Sequence, residues 1–266
     1  MSLFRVDHLS AGYGDTEILK DVSFTVPRGS ITGILGANGS GKTTLLKAIC
    51  GILPHSGICD LDGKKLDSLS ARQLARLVSY IPQRSGVSID ISALDVVLMG
   101  FNPQLRLLDH PTKAMQDTAL AALAQVGLSG RAQDNYLHLS EGQKQLCILA
   151  RTLVADAKLL LLDEPESALD VRCRHRMLQI IRNWTQEDTR CAVVTLHDPA
   201  LALNFCDTLL LLEGGQCIGT LRPGKDSCEQ MAAMLSRLYG SVTLTTCRDR
   251  SGKEHIVMLK EEEGWP

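Results

Sequence analysis

The stretch Gly36-Ala37-Asn38-Gly39-Ser40-Gly41-Lys42-Thr43 decides how the rest of this sequence is read. It fits the phosphate-binding pattern GxxxxGK[ST] at every fixed position, with the apolar run 31–35 before it and a helix-like segment, 42–50, after it. The residue types follow from what a phosphate needs. Glycines let the backbone wrap closely around an anion, so that consecutive N–H groups and a helix N-terminus point at it. Lys42 would reach the β- and γ-phosphates and the hydroxyl of Thr43 would ligate Mg²⁺. Gly36, Asn38, Gly39, Ser40, Gly41, Lys42, Thr43 and Thr44 are thus the candidate nucleotide cradle.

Further along, Leu159-Leu160-Leu161-Leu162-Asp163-Glu164 reads as a buried strand ending in two carboxylates. A strand terminus beside a phosphate loop is where a Mg²⁺-holding Asp belongs, which makes Asp163 the metal candidate. The adjacent Glu164 could polarise an attacking water as general base. Helix-like 172–184 separates this strand from a second apolar run, 191–196. Strand and helix alternate, which predicts an α/β fold with a parallel sheet and helical crossovers. Around this core, 3–9 and 22–26 alternate as short strands about the turn cluster Gly12-Tyr13-Gly14-Asp15. Residues 90–154 read as helical, and 242–246 with 255–259 as a terminal hairpin followed by a solvated tail. The expected division is a main domain over 1–240, with a helical part at about 90–154 inserted in it, and a hairpin and tail over 241–266.

Composition narrows the function classes. The chain has 266 residues, 44% of them hydrophobic, and 28 Lys+Arg against 30 Asp+Glu. With a net charge of −2 there is no global basic field, and aromatics at 4% leave little for base stacking, so nucleic acid is not an expected partner. The most apolar stretch, 148–162, is interrupted by Arg151, Asp156 and Lys158, too early for a spanning helix. The first residues show no signal pattern, so a soluble protein is expected. Nine cysteines without a CxxC read as reduced thiols acting as small buried hydrophobes in a cytosolic protein. Met115, Met177 and Met231 read as core filler.

At Leu139-Ser140-Glu141-Gly142-Gln143 the sequence closely resembles the LSGGQ signature of ATP-binding-cassette (ABC) proteins, 23 residues before Asp163. The family's other marks fall in the same order. Tyr13 resembles the aromatic that stacks on adenine, and Gln83 in Tyr80-Ile81-Pro82-Gln83 the Q-loop glutamine. Ser167-Ala168-Leu169-Asp170 resembles the D-loop, and His197 in Leu196-His197-Asp198 the switch histidine. The resemblance implies a P-loop NTPase with a RecA-like parallel-sheet core, an N-terminal antiparallel β subdomain and a helical signature subdomain. It implies ATP and Mg²⁺ as cofactors, with Thr43, Gln83 and Asp163 on the metal and Glu164, His197 and Gln83 as catalytic residues. It further implies a head-to-tail homodimer in which Ser140, Gly142, Gln143 and Asp170 serve the partner's nucleotide. Separate transmembrane permease subunits would follow, with a substrate-binding protein acting indirectly and the ATPase on the cytoplasmic face of the cell membrane.

A narrower resemblance, carried by 97–103, by Thr195 to Ala202 and by the terminal hairpin, is to ATPases of iron-siderophore, haem or cobalamin importers. Departures are Glu141 for the signature's second glycine, Glu166 where Thr is common, and Leu146 where a basic residue often follows the signature. Glu141 is expected to point away from the backbone cradle. Three rival readings share parts of this pattern. For a GTP switch, Asp60-Leu61-Asp62-Gly63 matches DxxG, yet no NKxD occurs. For non-transport cassettes, the interval from Thr43 to Ser140 is too short for a coiled-coil insertion and only one cassette is present. An exporter cassette has the same local chemistry.

Overall fold

The computed structural model describes residues 2–83, 87–106, 108–167 and 169–261. The chain opens with an antiparallel hairpin of β1 (Ser2–Tyr13) and β2 (Thr16–Pro27), then crosses to a second sheet as β3 (Ile31–Leu35) and runs through the phosphate loop into α1 (Lys42–Ile49). It returns to the first sheet as β4 (His55–Leu61) and β5 (Lys64–Lys65), giving the order β2-β1-β4-β5. After α2 (Ala71–Ala75), β6 (Val78–Ile81) joins the second sheet at its edge. Helices α3 (Ala93–Leu98), α4 (Lys113–Gln125) and α5 (Glu141–Val154) then pack against one another. The remaining core elements are β7 (Leu159–Asp163), α6 (Val171–Thr185), β8 (Cys191–Thr195), α7 (Pro199–Phe205), β9 (Thr208–Glu213) and β10 (Gln216–Leu221). Helix α8 (Cys228–Tyr239) leads to a separate hairpin of β11 (Val242–Arg248) and β12 (Glu254–Lys260).

The second sheet has the order β10-β9-β3-β8-β7-β6, and every neighbouring pair is parallel except β10 with β9. Apolar runs make its inner strands because both faces are covered. Leu160, Leu162, Ala192 and Val194 face the helices, while Leu159, Leu161, Cys191 and Val193 face α1 and the first sheet. The α/β architecture of parallel strands and helices with an N-terminal antiparallel sheet is therefore as expected. Its parallel strands β3, β7, β8 and β6 all end at one edge, the place where open α/β sheets bind ligands.

Some local expectations are corrected. β1 runs through Gly12 and Tyr13, leaving only Gly14 and Asp15 in the turn, because register shifts after Val6 and Leu9 break the side-chain alternation that marks a strand. The DxxG match is a hairpin turn between β4 and β5, where Asp60 Oδ1 accepts from the Gly63 N–H at 2.9 Å. All nine cysteines are free, but only Cys59, Cys147, Cys191 and Cys206 are buried. Cys247 is exposed, because alternate residues of a two-stranded hairpin face water. Met177 and Met231 lie in the core with Met115 packed at its margin. No helix among the described residues is long and apolar enough to cross a membrane.

Candidate active site

The phosphate loop links the end of β3 to the start of α1. Its glycines have distinct reasons to be there. A Cβ on Gly36 would lie 2.3 Å from the Leu212 carbonyl oxygen and 2.5 Å from Ser40 Oγ. Gly41, at the N-cap of α1, has φ 103°, a left-handed conformation that costs glycine little. Lys42 is buried and donates to the carbonyls of Gly36 at 2.9 Å and Ala37 at 3.3 Å, so its ammonium closes the loop on itself. Burial pushes that ammonium below its ordinary range, while Glu164 and then Asp163 pull it back up. Ser40 Oγ is buried inside the loop without a hydrogen-bond partner among the described residues. An unsatisfied hydroxyl beside Gly36, just before a helix N-terminus, fits a phosphate oxygen.

Asp163, the last residue of β7, collects hydroxyl donors. Thr43 Oγ1 donates to its Oδ1 at 3.1 Å, Thr195 Oγ1 to the same oxygen at 2.9 Å, and the Tyr80 hydroxyl to Oδ2 at 3.3 Å. The Tyr80 phenol is pushed up by burial first and by Asp163 next, which keeps it a donor. With the Gln83 amide nearby, this all-oxygen set suits a hard cation held partly by phosphates, as Mg²⁺ is.

Glu164 is 6% exposed and sits at φ 48°, a conformation rare outside glycine. Its N–H donates to Thr195 Oγ1 at 2.8 Å, which anchors the turn. One carboxylate oxygen, Oε2, takes Gln83 Nε2 at 2.5 Å and His197 Nε2 at 2.6 Å. The other, Oε1, lies 3.9 Å from Lys42 Nζ. Gln83 from beyond β6, Glu164 from the turn after β7 and His197 from beyond β8 thus meet at one carboxylate, beside the loop lysine. Gln145 of α5 holds the Gln83 carbonyl, donating from Nε2 at 2.8 Å.

Gly36, Ser40, Lys42, Thr43, Gln83, Asp163, Glu164 and His197 are therefore brought together. Tyr13 ends β1 and is 49% exposed. Ser140 caps α5, its Oγ accepting from the Gln143 N–H at 3.3 Å while Gln143 Oε1 accepts from the Ser140 N–H at 3.0 Å. Asp170 caps α6 through a 2.7 Å bond from the Cys173 N–H. Among the described residues no hydrogen bond or ion pair joins Ser140, Gly142, Gln143 or Asp170 to the phosphate loop. Ala168 of the D-loop stretch, and residues 84–86 after Gln83, lie outside the described residues. Glu141 pairs with Lys144 along its own helix at 2.8 Å, and Leu146 is buried in the core. Sequence reasoning missed Tyr80, Thr195 and Gln145. Tyr80 and Thr195 are polar residues closing or interrupting apolar strands, a signal that marks them only once Asp163 is known to need donors.

The model of the family described as "ABC transporter" matches residues 19–167, more than half of the chain. The chain belongs to the ABC transporter family. As an ABC ATPase it has ATP as its nucleotide. A hemin import ATP-binding protein of Bordetella pertussis is 39% identical over 228 residues, covering 82% of this chain and 86% of that protein. A cobalamin import ATP-binding protein of Halobacterium salinarum is 32% identical over 262 residues, 92% of this chain. The chain spans 64% of that relative's length, and 58% of an uncharacterised ABC transporter ATP-binding protein of Bacillus subtilis. A manganese transport ATP-binding protein of the same Bacillus is 36% identical over 211 residues, covering 78% of this chain and 82% of that protein. Among solved structures, a chain described as an inward-facing metal-chelate type ABC transporter superposes with a TM-score of 0.81 at 25% identity, covering 98% of this ABC ATPase and 99% of that chain.

Proposed function

We propose that this ABC ATPase powers an importer, hydrolysing ATP on the cytoplasmic face of the cell membrane to drive uptake of an iron-siderophore, haem or cobalamin-type cargo through separate permease subunits. The hemin, cobalamin and metal-chelate relatives support that cargo class. The observation that carries the hydrolytic reading is the meeting of Gln83, Glu164 and His197 at Glu164 Oε2, beside Lys42 and Asp163.

The proposed chemistry follows from that geometry. The backbone of residues 36–43 and Lys42 hold the β- and γ-phosphates, with Tyr13 under adenine and Thr44 at the start of α1 completing the cradle. Thr43, Asp163 and Gln83 would hold Mg²⁺, which when bound neutralises charge on the phosphates. His197 and Gln83 occupy one oxygen of Glu164, leaving Oε1 to take a proton from the attacking water. His197 orients that carboxylate and Gln83 ties it to the loop that follows β6.

Ser140, Gly142 and Gln143 lie at the N-terminus of α5, and Asp170 caps α6. Their separation from their own phosphate loop supports a second copy packed head to tail, each copy's signature closing the other's nucleotide. On this reading residues 1–240 form the ATPase domain, with the helical part at about 90–154, and 241–266 form an appended hairpin and tail. Residues 84–90 and the helical part would contact the permease.

The test is uptake of labelled iron-siderophore, haem and cobalamin, with manganese as a fourth arm, in cells lacking this protein, together with its co-purification with membrane proteins. Loss of uptake of one of the first three, restored by the gene, supports the proposal. Loss of manganese uptake alone would replace the cargo class. Unchanged uptake of all four with no membrane partner would reject the importer.

A further inference from the structure

A third carboxyl lies in this site, and neither the nucleotide nor the metal accounts for it. Glu166 is 4% exposed. Its Oε1 accepts from the main-chain N–H of His197 at 3.3 Å, while its Oε2 is buried with no hydrogen-bond partner among the described residues. A buried carboxyl satisfied on one side only destabilises the fold, so its presence calls for a compensating role.

The surroundings supply one. His197 is gripped at two points by the turn after β7. Glu164 Oε2 holds the imidazole Nε2 at 2.6 Å, and Glu166 Oε1 holds the main chain. That turn is itself fixed, with the Ser167 N–H on the Glu164 carbonyl at 3.2 Å and the Leu169 N–H on the Glu166 carbonyl at 3.1 Å. Upstream, the Leu196 N–H bonds the Ile34 carbonyl at 3.2 Å, and downstream Asp198 caps α7. His197 lies between these two anchors. We propose that Glu166 is a positioning residue that fixes the main chain of His197 so that its imidazole stays on Glu164. The proposal rests on the reading of His197 and Glu164 given above.

Burial pushes the Glu166 carboxyl above the ordinary carboxylate range and Glu164 adds to this, against the pull of its own and the His197 N–H groups and of the imidazole. Charged or neutral, the carboxyl keeps an acceptor oxygen for the histidine N–H. So does the amide oxygen of glutamine, whereas leucine has none and threonine is two atoms shorter.

The experiment measures kcat, the KM for MgATP and the melting temperature of the full chain. It compares wild type with Glu166→Gln, Glu166→Leu, Glu166→Thr, His197→Ala and the double variant Glu166→Leu/His197→Ala. Glu166→Gln should stay within about twofold of wild type in kcat. Glu166→Leu should lose about tenfold or more in kcat at little changed KM, as expected for a lost buried hydrogen bond felt after binding. Glu166→Thr should lose activity in the same way, and it decides the matter if Glu166→Leu does not fold. Added to His197→Ala, Glu166→Leu should have no further effect, because its action passes through the histidine. Wild-type kcat in the leucine and threonine variants would overturn the proposal. So would a loss in Glu166→Gln equal to that in Glu166→Leu, or an undiminished loss in the His197→Ala background. Wild-type kcat in His197→Ala would instead reject the reading of the histidine itself.

Discussion

Thr195→Val tests whether one hydroxyl organises the carboxylates of Asp163 and Glu164. Valine keeps the branched shape of a side chain that is fully buried at the end of β8, and removes only the hydroxyl. That oxygen accepts from the Glu164 N–H at 2.8 Å and donates to Asp163 Oδ1 at 2.9 Å. Leaving a buried main-chain N–H unpaired costs about 1–3 kcal/mol, and a hydrogen bond to a charged group contributes about 1.5–3 kcal/mol. One hydroxyl makes both bonds and the turn can relax, so the two losses overlap and about 3 kcal/mol in all is expected. For a chain of this size that corresponds to a fall in melting temperature of about 6–12 °C. The catalytic effect should be separate. Glu164 is held at φ 48° by that N–H bond. Releasing it lets the carboxylate turn away from Lys42, and kcat should fall about tenfold or more. Thr195→Ser keeps the hydroxyl and loses one methyl group, so it should cost about 1 kcal/mol and leave kcat nearly unchanged. The assays are thermal melting and steady-state ATP hydrolysis on the three proteins. A valine variant melting within about 2 °C of wild type with unchanged kcat would refute the reasoning.

Three other outcomes are expected. Lys42→Ala should largely abolish MgATP binding measured by calorimetry, since a buried cation on the phosphates is lost; wild-type affinity would contradict the assignment of the loop. Glu164→Gln should bind ATP normally and lose about a hundredfold or more in turnover, because the amide cannot take a proton; near-normal hydrolysis would move the base elsewhere. Burial raises the Cys59, Cys147 and Cys191 thiols from 9.0 to about 12. The native state then holds these protons while the unfolded chain releases them, so their contribution to stability is whole below pH 9 and is lost as pH rises from 9 toward 12. At neutral pH, iodoacetamide followed by peptide mass mapping should label exposed Cys247 first and leave these three protected until the protein unfolds.

Much of this fold is legible in the sequence because the inner strands are buried on both faces. The runs 159–162 and 191–194 must be apolar at every position, and continuous runs stand out. The run 209–212, not among the strands expected above, carries the same signal and makes β9. β6 does not stand out, since an edge strand of four residues with only Val78 and Ile81 buried has neither length nor alternation to show. Of the site, the loop and the two carboxylates are legible because phosphate chemistry restricts residue type and spacing together. Gln83 and His197 are visible only through resemblance to a family, for a lone glutamine or histidine is compatible with many roles. Their meeting at one oxygen depends on β6 and β8 flanking β7, which is a property of strand order. Tyr80 and Thr195 stay hidden for the same reason, and Gln145 because only the packing of α5 brings it to the Gln83 carbonyl.

The hydrogen bonds of this site also say how nucleotide binding can perform work. Lys42 is spent on the carbonyls of Gly36 and Ala37, Thr43 on Asp163, and Gln83 and His197 on Glu164. Apart from Ser40 Oγ and the loop N–H groups, ATP and Mg²⁺ therefore meet donors already in use; on the proposed reading they exchange existing bonds. The net gain of each exchange is small compared with the gross strength of a hydrogen bond, so affinity must come chiefly from the phosphate charge and the loop N–H groups. Each exchange also frees a segment. On the proposed reading, turning the Gln83 amide oxygen toward a metal would shift Glu164, whose Oε2 the amide nitrogen holds. Because Gln145 of α5 holds the Gln83 carbonyl at 2.8 Å, the same movement pulls on the helix that Ser140 caps. A ligand shifts a conformational equilibrium only by the difference between its contacts in the two states. On the proposed reading that difference lies at Gln83, whose side chain holds the Glu164 carboxylate and whose main chain is tied to α5.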